Sequence, residues 1–498
     1  MKLRLLILLA LTGLTLTPIQ AQKREFRGAW IHIVGNTELR TMTSEQVQDL
    51  IRNTFDDLAK AGCNAVIFQV RPQADAFYPS ELEPWTRFLT GEQGKAPVPF
   101  WDPLAFAIEE AHKRGMELHA WCNPYRVTSN DEEVLWDEHL YFKNPNIFRK
   151  YGKQLYFDPG EPESRAHTVR VVADIVSRYD VDAIHFDDYF YPYPVRFEEF
   201  HDDFSFAKYS KEQGFEYWQK SDWRRNNVEM LIQELNDTIK ALKPWVRFGI
   251  SPFGIHRNKR DYEDGSETNG LSNYDELFAD VPAWGKKGII DYIVPQLYWK
   301  IGTKAADYEV LIHWWNDGAF TDHLYIGQNI AVMDAPDEKR PGQTQLGRKI
   351  EMTRELSGVA GNVWWPGWSL PKNDKQVKER LVNEFQKELA LIPPYSRLDS
   401  IAPMSPKNVH RHGKKLHWKQ PKTDDPMQEA LFSILYVFPP KTEPDFDNPK
   451  YIHKIIHGDE YVVPKEAGWK KGSKIAVTVV DRCWNESEPS GIYVWDCE

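Results

Sequence analysis

The segment Ala183–Pro192, AIHFDDYFYP, runs the apolar residues of a buried strand into two adjacent carboxylates, Asp187 and Asp188, and then into tyrosines and prolines. A packed core has no use for such a pair, whereas proton-transfer chemistry does. Neighbouring like charges raise at least one pKa, which leaves an acid able to donate near neutral pH, and Tyr189 and Tyr191 are placed to restrict water. Cleavage of a glycosidic bond needs such a donor at the leaving oxygen, together with a group that stabilises positive charge at the anomeric carbon. Consecutive residues are awkward as a nucleophile and acid on opposite sides of a scissile bond. They suit substrate-assisted hydrolysis, in which the sugar's own acetamido oxygen attacks, Asp187 orients and polarises that amide, and Asp188 protonates the leaving group. A weaker version pairs one aspartate with a carboxylate from another loop, Asp75 or Asp334. The non-catalytic alternative is a strand-end pair satisfied by backbone amides or by an arginine such as Arg126.

The elements that must hold this pair alternate. FRGAWIHIV, CNAVIFQVRP, MELHAWCNP, AIHFDDYF, RFGISPFGI, DYIVPQLYW, LYIGQNIAV and GNVWWPGW read as eight strands, and helical patterns lie between them. Thr43 with Gln46 forms a capping box before the first helix and Gly62 stops it; Asp102 with Pro103 opens the second helix and Gly115 follows it. This order predicts an α/β fold, a (β/α)8 barrel with long insertions; a doubly wound sheet ranks lower because no Gly-rich nucleotide loop follows any strand. In a closed barrel every second residue faces inward, and that phase turns in Trp30, His32, Gln69, Arg71, His119, Trp121, Asn123, His185, Asp187, Ser251, Gln296, Tyr298 and Asn329. Most stand near the C-terminal ends of their strands, where barrel active sites are built. Trp364 and Trp365 in the last strand add aromatic faces for a sugar ring.

The whole chain bounds this reading. Its 498 residues are too many for one ordinary core, and a net charge of −11 argues against non-specific nucleic-acid or anionic-lipid binding. With 19 tryptophans and 22 tyrosines it is rich in the flat faces that carbohydrate stacks against. Residues 1–21, a short basic start, an apolar run and a small residue at Ala21, predict a cleaved secretory signal without a lipid-anchoring cysteine, hence export to the periplasm or envelope. No later stretch predicts a transmembrane span. The barrel is expected over 22–395. Prolines around residue 393 then introduce short alternating stretches over 396–498, an all-β sandwich similar to a fibronectin type III module with a scaffold or docking role. Cys63 and Cys122 are expected as buried thiols at opposite strand ends; pairing of Cys483 with Cys497 is left open.

RGAWI, VIFQVRPQADAFYPS, LHAWCNPYR, IHFDDYFYP, SPFGI and PQLYW, in that order over about Phe26 to Leu391, resemble the bacterial glycosyl-hydrolase-like family 10. The resemblance implies a (β/α)8 barrel, envelope localisation and hydrolysis of glycan strands, with peptidoglycan glycan already stripped of its stem peptides as a substrate. By position it makes Asp187 and Asp188 the catalytic candidates, and Arg71, Asp75, Asn123, Tyr125, Arg126, Gln296, Tyr298 and Trp299 the cleft residues. No cofactor or metal is expected. Three other readings stay open: a metal-dependent deacetylase or amidohydrolase built on inward His32, His119, His185 and Asp187; a non-catalytic glycan-binding envelope protein; and a hydrolase of α-glucan-type polysaccharide. Against the first, strand one carries a lone His and no HExxH occurs.

Overall fold

The computed structural model describes residues 22–496; the expected signal segment 1–21 and Cys497 lie outside them. Eight parallel strands close into a barrel in chain order: β1 Phe26–Ile31, β2 Ala65–Arg71, β3 Glu117–Cys122, β4 Ala183–Phe186, β5 Arg247–Ile250, β6 Tyr292–Ile293, β7 Leu324–Asn329 and β8 Val359–Trp365, which pairs back to β1. The sixth strand is much shorter than DYIVPQLYW predicts. Pro295 has no N–H to give a neighbour, so the ladder stops and Gln296 joins the sheet only through isolated bridges to Phe253 and Gly327.

Helices follow the strands for the reasons their sequences give. Ser44–Lys60 starts from the reciprocal Thr43–Gln46 capping box and buries Val47, Ile51, Phe55 and Leu58 against the sheet. Pro103–His112 begins where the Asp102 carboxylate accepts the Leu104 and Ala105 N–H groups, both 3.1 Å away. Gly62 and Gly115 adopt φ of 83° and 70° after these helices, a left-handed backbone that other side chains resist. The insertion after β3 contributes a small hairpin, Phe148–Tyr151 with Gln154–Phe157. Among the described residues no helix is long and apolar enough to cross a membrane.

Period two divides the apolar residues into layers. Ile31, Phe68, Ile184, Phe248 and Ile326 face the helices, while Trp30, Ile67, Trp121, Tyr292 and Val363 fill the barrel. Gly249 faces the Tyr292 ring so closely that an added Cβ would lie 2.0 Å from Cζ, so no larger residue fits beside that tyrosine.

Beyond residue 406 the chain forms two antiparallel sheets. One contains Lys407–His412, Lys415–Lys419 and Glu460–Val462; the other contains Ile452–Ile456, Ala430–Phe438, Lys474–Asp481 and Tyr493–Val494. The long strand Ala430–Phe438 is covered on both sides. Phe432, Ile434, Tyr436 and Phe438 join the apolar cluster that continues from the barrel interior, and Leu435 packs with Leu416, Trp418 and Trp495 between the two sheets. These sheets therefore close the end of the barrel opposite the strands' C-termini. Cys63, Cys122 and Cys483 are all buried, and burial pushes each thiol up to about 12.

Candidate active site

At the C-terminal ends of the strands lies a cavity of about 380 Å3. Trp30 and His32 with Val34 come from β1 and its loop, Gln69 from β2, Trp121 from β3, Ser251 from the end of β5, and Gln296 and Tyr298 from beyond β6. Trp365 closes the wall from β8, and Arg126 comes from the loop after β3. Asp187, Asp188 and Tyr189 enter where β4 ends.

The two carboxylates are almost wholly buried, at 3% and 2% exposure, yet both border this space. Asp187 is held from inside the barrel. Asn123 donates its Nδ2–H to Asp187 Oδ2, Gln69 Nε2 donates to Asn123 Oδ1 at 2.6 Å, and Gln69 Oε1 accepts the Ile33 and Val34 N–H groups at 2.7 and 3.0 Å. The chain of amides ties the carboxylate to β1, β2 and β3 together. Asp188 is held from outside, by the Tyr193 hydroxyl donating to Oδ2. Burial, then the Asp188 charge, pushes the Asp187 carboxyl up to about 7, against Arg126, the Tyr189 N–H and Asn123. Burial raises Asp188 as well, although Tyr193, Gln296 and Arg126 favour its charged form. Two neighbouring buried carboxyls that disfavour each other's charge hold one proton to higher pH than a free aspartate, which supplies an acid and an anion at once.

Beneath the cavity runs a ladder of buried hydrogen bonds. The Trp30 indole donates to His185 Nε2 at 3.1 Å, and Ser251 Oγ reaches the same nitrogen at 3.1 Å. An indole N–H only donates, so His185 carries its proton on Nδ1 and gives it to the Tyr292 hydroxyl at 3.0 Å. Tyr292 then donates to His119 Nδ1 at 2.8 Å, and His119 Nε2–H to Glu117 Oε2 at 2.9 Å. Glu117 also accepts from Arg247 at 2.5 Å and from the indole of Trp484, in the loop after the C-terminal strand Lys474–Asp481. One donor at the top thus fixes every tautomer down to the barrel's base. Burial pushes His185 well below the usual imidazole range, so the ring stays neutral.

Several predicted cleft residues stand elsewhere. Arg71 faces away because the β2–β3 register slips between Gln69 and Arg71, which turns it outward onto Glu83 at 2.5 Å. Asp75 is fully buried under the loop after β2 and accepts from Gln93 at 3.1 Å; Asp334 pairs with Lys375 at 3.4 Å. Tyr125, Tyr191 and Trp364 belong to the apolar layer under the helices, Trp364 because its neighbour Trp365 takes the inward phase. Trp299 packs edge-on against Phe253 at 5.5 Å, and Asn329 caps the turn Ile330–Val332. Asn123, His119 and His185 face inward but lie below the cavity lining as its supports. Arg126 forms no ion pair with the aspartates; its nitrogens Nε and Nη2 donate to Pro72 O at 3.4 and 3.2 Å. Tyr193 and Val34 escaped the sequence reading. The alternation Tyr189, Tyr191, Tyr193 was the available signal for the former, and only the last reaches Asp188.

A closed barrel with a buried acid pair at its C-terminal mouth, walled by Trp30, Trp121, Tyr298 and Trp365, has the make-up of a glycoside hydrolase. The chain belongs to the Glycosyl hydrolase-like 10 family, which matches residues 25–343 and so stops short of β8. It is 39% identical over 481 residues to the glycosyl hydrolase YngK of Bacillus subtilis (strain 168), covering 94% of this chain and 92% of that one. With the glycosyl hydrolase DigH of Escherichia coli (strain K12) it shares 35% over 372 residues, covering 69% and 83%. Among solved structures, the PgaB (BpsB) glycoside hydrolase domain from Bordetella bronchiseptica is similar over 72% of this chain and 99% of that chain, with a TM-score of 0.49 and 11% identity. The chain is a glycoside hydrolase.

Proposed function

We propose that this protein is an exported hydrolase of N-acetylhexosamine glycan, acting on peptidoglycan strands that have lost their peptides, with Asp187 and Asp188 as its catalytic pair. The observation that carries the reading is the pair itself: two adjacent buried carboxylates, both raised, bordering one aromatic-walled cavity. Export rests on the basic and apolar character of residues 1–21, and the fibronectin-like sheets serve as a scaffold.

Asp187, locked by Asn123 and Gln69, suits the group that must stay fixed: ionised, it accepts the substrate's acetamido N–H and sharpens the nucleophilicity of the amide oxygen. That oxygen attacks the anomeric carbon as the glycosidic C–O bond breaks. Asp188 gives its proton to the leaving oxygen, then takes one back from the water that opens the cyclic intermediate, and the configuration is retained. Removing the acetyl group removes the nucleophile. De-N-acetylated glycan is therefore expected to lose at least about a hundredfold in kcat/KM, read by mass spectrometry of the products, since an internal nucleophile is a large part of the rate; equal turnover of both glycans would end this mechanism.

The pH profile follows from the shared proton. Because burial raises both carboxyls, Asp187 to about 7, and each charge disfavours the other's, the pair gives up its last proton late, and the singly protonated pair, with the proton available to Asp188, is the active form. Activity is expected to fall about tenfold per pH unit once that proton is lost, in a kcat/KM profile taken from pH 5 to 9.

A further inference from the structure

Six arginines are nine-tenths or more buried among the described residues, and five of them stand within ion-pair distance of a carboxylate. Arg27 meets Glu25 at 2.7 Å, Arg71 meets Glu83 at 2.5 Å, Arg224 meets Asp202 at 2.7 Å, Arg247 meets Glu117 at 2.5 Å and Arg348 meets Glu351 at 3.4 Å. Arg126 is the sixth, at 8% exposure, and makes no ion pair among the described residues. It is also the one that lines the catalytic cavity. A guanidinium keeps its charge at any working pH, and burying it without an anion is unfavourable.

We propose that Arg126 recognises a carboxylate carried by the bound glycan, of the kind left on the lactyl ether of muramic acid when the peptide has been removed. This rests on the glycan reading above and adds what selects peptide-free strands. The guanidinium is held ready: Nε and Nη2 are anchored on Pro72 O, the group lies over the Tyr189 ring at 5.1 Å, and Nη1 donates to no protein atom among the described residues. An arginine fixed at one edge with donors left over is suited to a carboxylate. A sugar still carrying its peptide presents a neutral amide at that position, which gives the cation no counter-charge. The competing role is balance for the aspartate pair, whose charged forms Arg126 favours from beyond ion-pair distance.

Calorimetric titration of the Asp188→Asn protein, which is expected to bind without cutting, separates these roles. The ligands are two muramyl oligosaccharides that differ only at the lactyl group, one a free acid and the other a methylamide. The acid is expected to bind at least about tenfold tighter, as a charge-assisted hydrogen bond supplies. That preference should vanish in Asp188→Asn/Arg126→Met and survive in part in Asp188→Asn/Arg126→Lys. Equal affinity for acid and amide before Arg126 is touched overturns the proposal, and so does a preference that persists after Arg126→Met. A third ligand, an N-acetylglucosamine oligomer alternating with uronic acid, should bind weakly; tight binding would move the recognised carboxylate from the lactyl group to the sugar ring. If the wild-type protein cuts none of these oligosaccharides, the hydrolytic reading falls, while the affinity ratio still decides the role of Arg126.

Discussion

Replacing Asp188 by Asn is expected to lower kcat on peptide-free murein strands by about 10²- to 10⁴-fold, the usual worth of a positioned general acid. KM should move little, because the cavity walls and the Asp187 anchor are untouched. The same variant is expected to be more stable at pH 8. The fold raises both carboxyls above their ordinary values, so each ionises more easily in the unfolded chain, and the pair disfavours the native state increasingly as pH climbs from about 4 towards 7. Removing one charge relieves that penalty. A melting temperature a few degrees above wild type at pH 8, with a smaller gain at pH 4.5, is the expected calorimetric result. A non-catalytic glycan binder would behave differently: neither form would release products, and affinity alone would be measured.

The second large effect lies at the other end of the barrel. Glu117→Gln is expected to destabilise the protein by about 3–5 kcal/mol in urea denaturation, because it strands the buried Arg247 guanidinium without a counter-charge. Burial alone would raise the Glu117 carboxyl, but Arg247, His119 and the Trp484 indole outweigh it and hold it to about 2. The sign is that of a depressed acid: the stabilisation is present above the unfolded value near 4.5 and is lost as pH falls towards 2. At 1.36 kcal/mol per unit this is roughly 3 kcal/mol, consistent with the substitution. Glu117→Gln combined with Arg247→Met should recover most of the loss. A double variant no better than the single one would show that the ion pair is not the source.

The alternation of strand and helix was legible because each strand writes its own apolar run and each helix its own cap. The inward phase was legible too, which is why Trp30, His32, Gln69, Ser251, Gln296 and Tyr298 could be named for the cavity they border. What broke the reading was local geometry that leaves no mark in residue type. A slipped register in β2 reversed Arg71, and nothing in VIFQVRP announces a bulge. Period two allows one member of the pair Trp364–Trp365 to face inward, and both were expected at the sugar. Of three alternating tyrosines, the chain's path past two prolines decides which reaches the acid. Contacts distant in sequence were harder still: Trp484 meets Glu117 across 367 residues.

That last contact has an evolutionary consequence. An accessory region joined by a flexible tether can be shuffled among hosts without disturbing them, but here the late-chain indole is a rung of the host's own axial scaffold. Recombination that exchanged the tail would leave a buried acid missing a donor and an apolar floor open to solvent. In this chain, truncation before residue 484 should therefore leave the barrel's floor open and Glu117 one donor short.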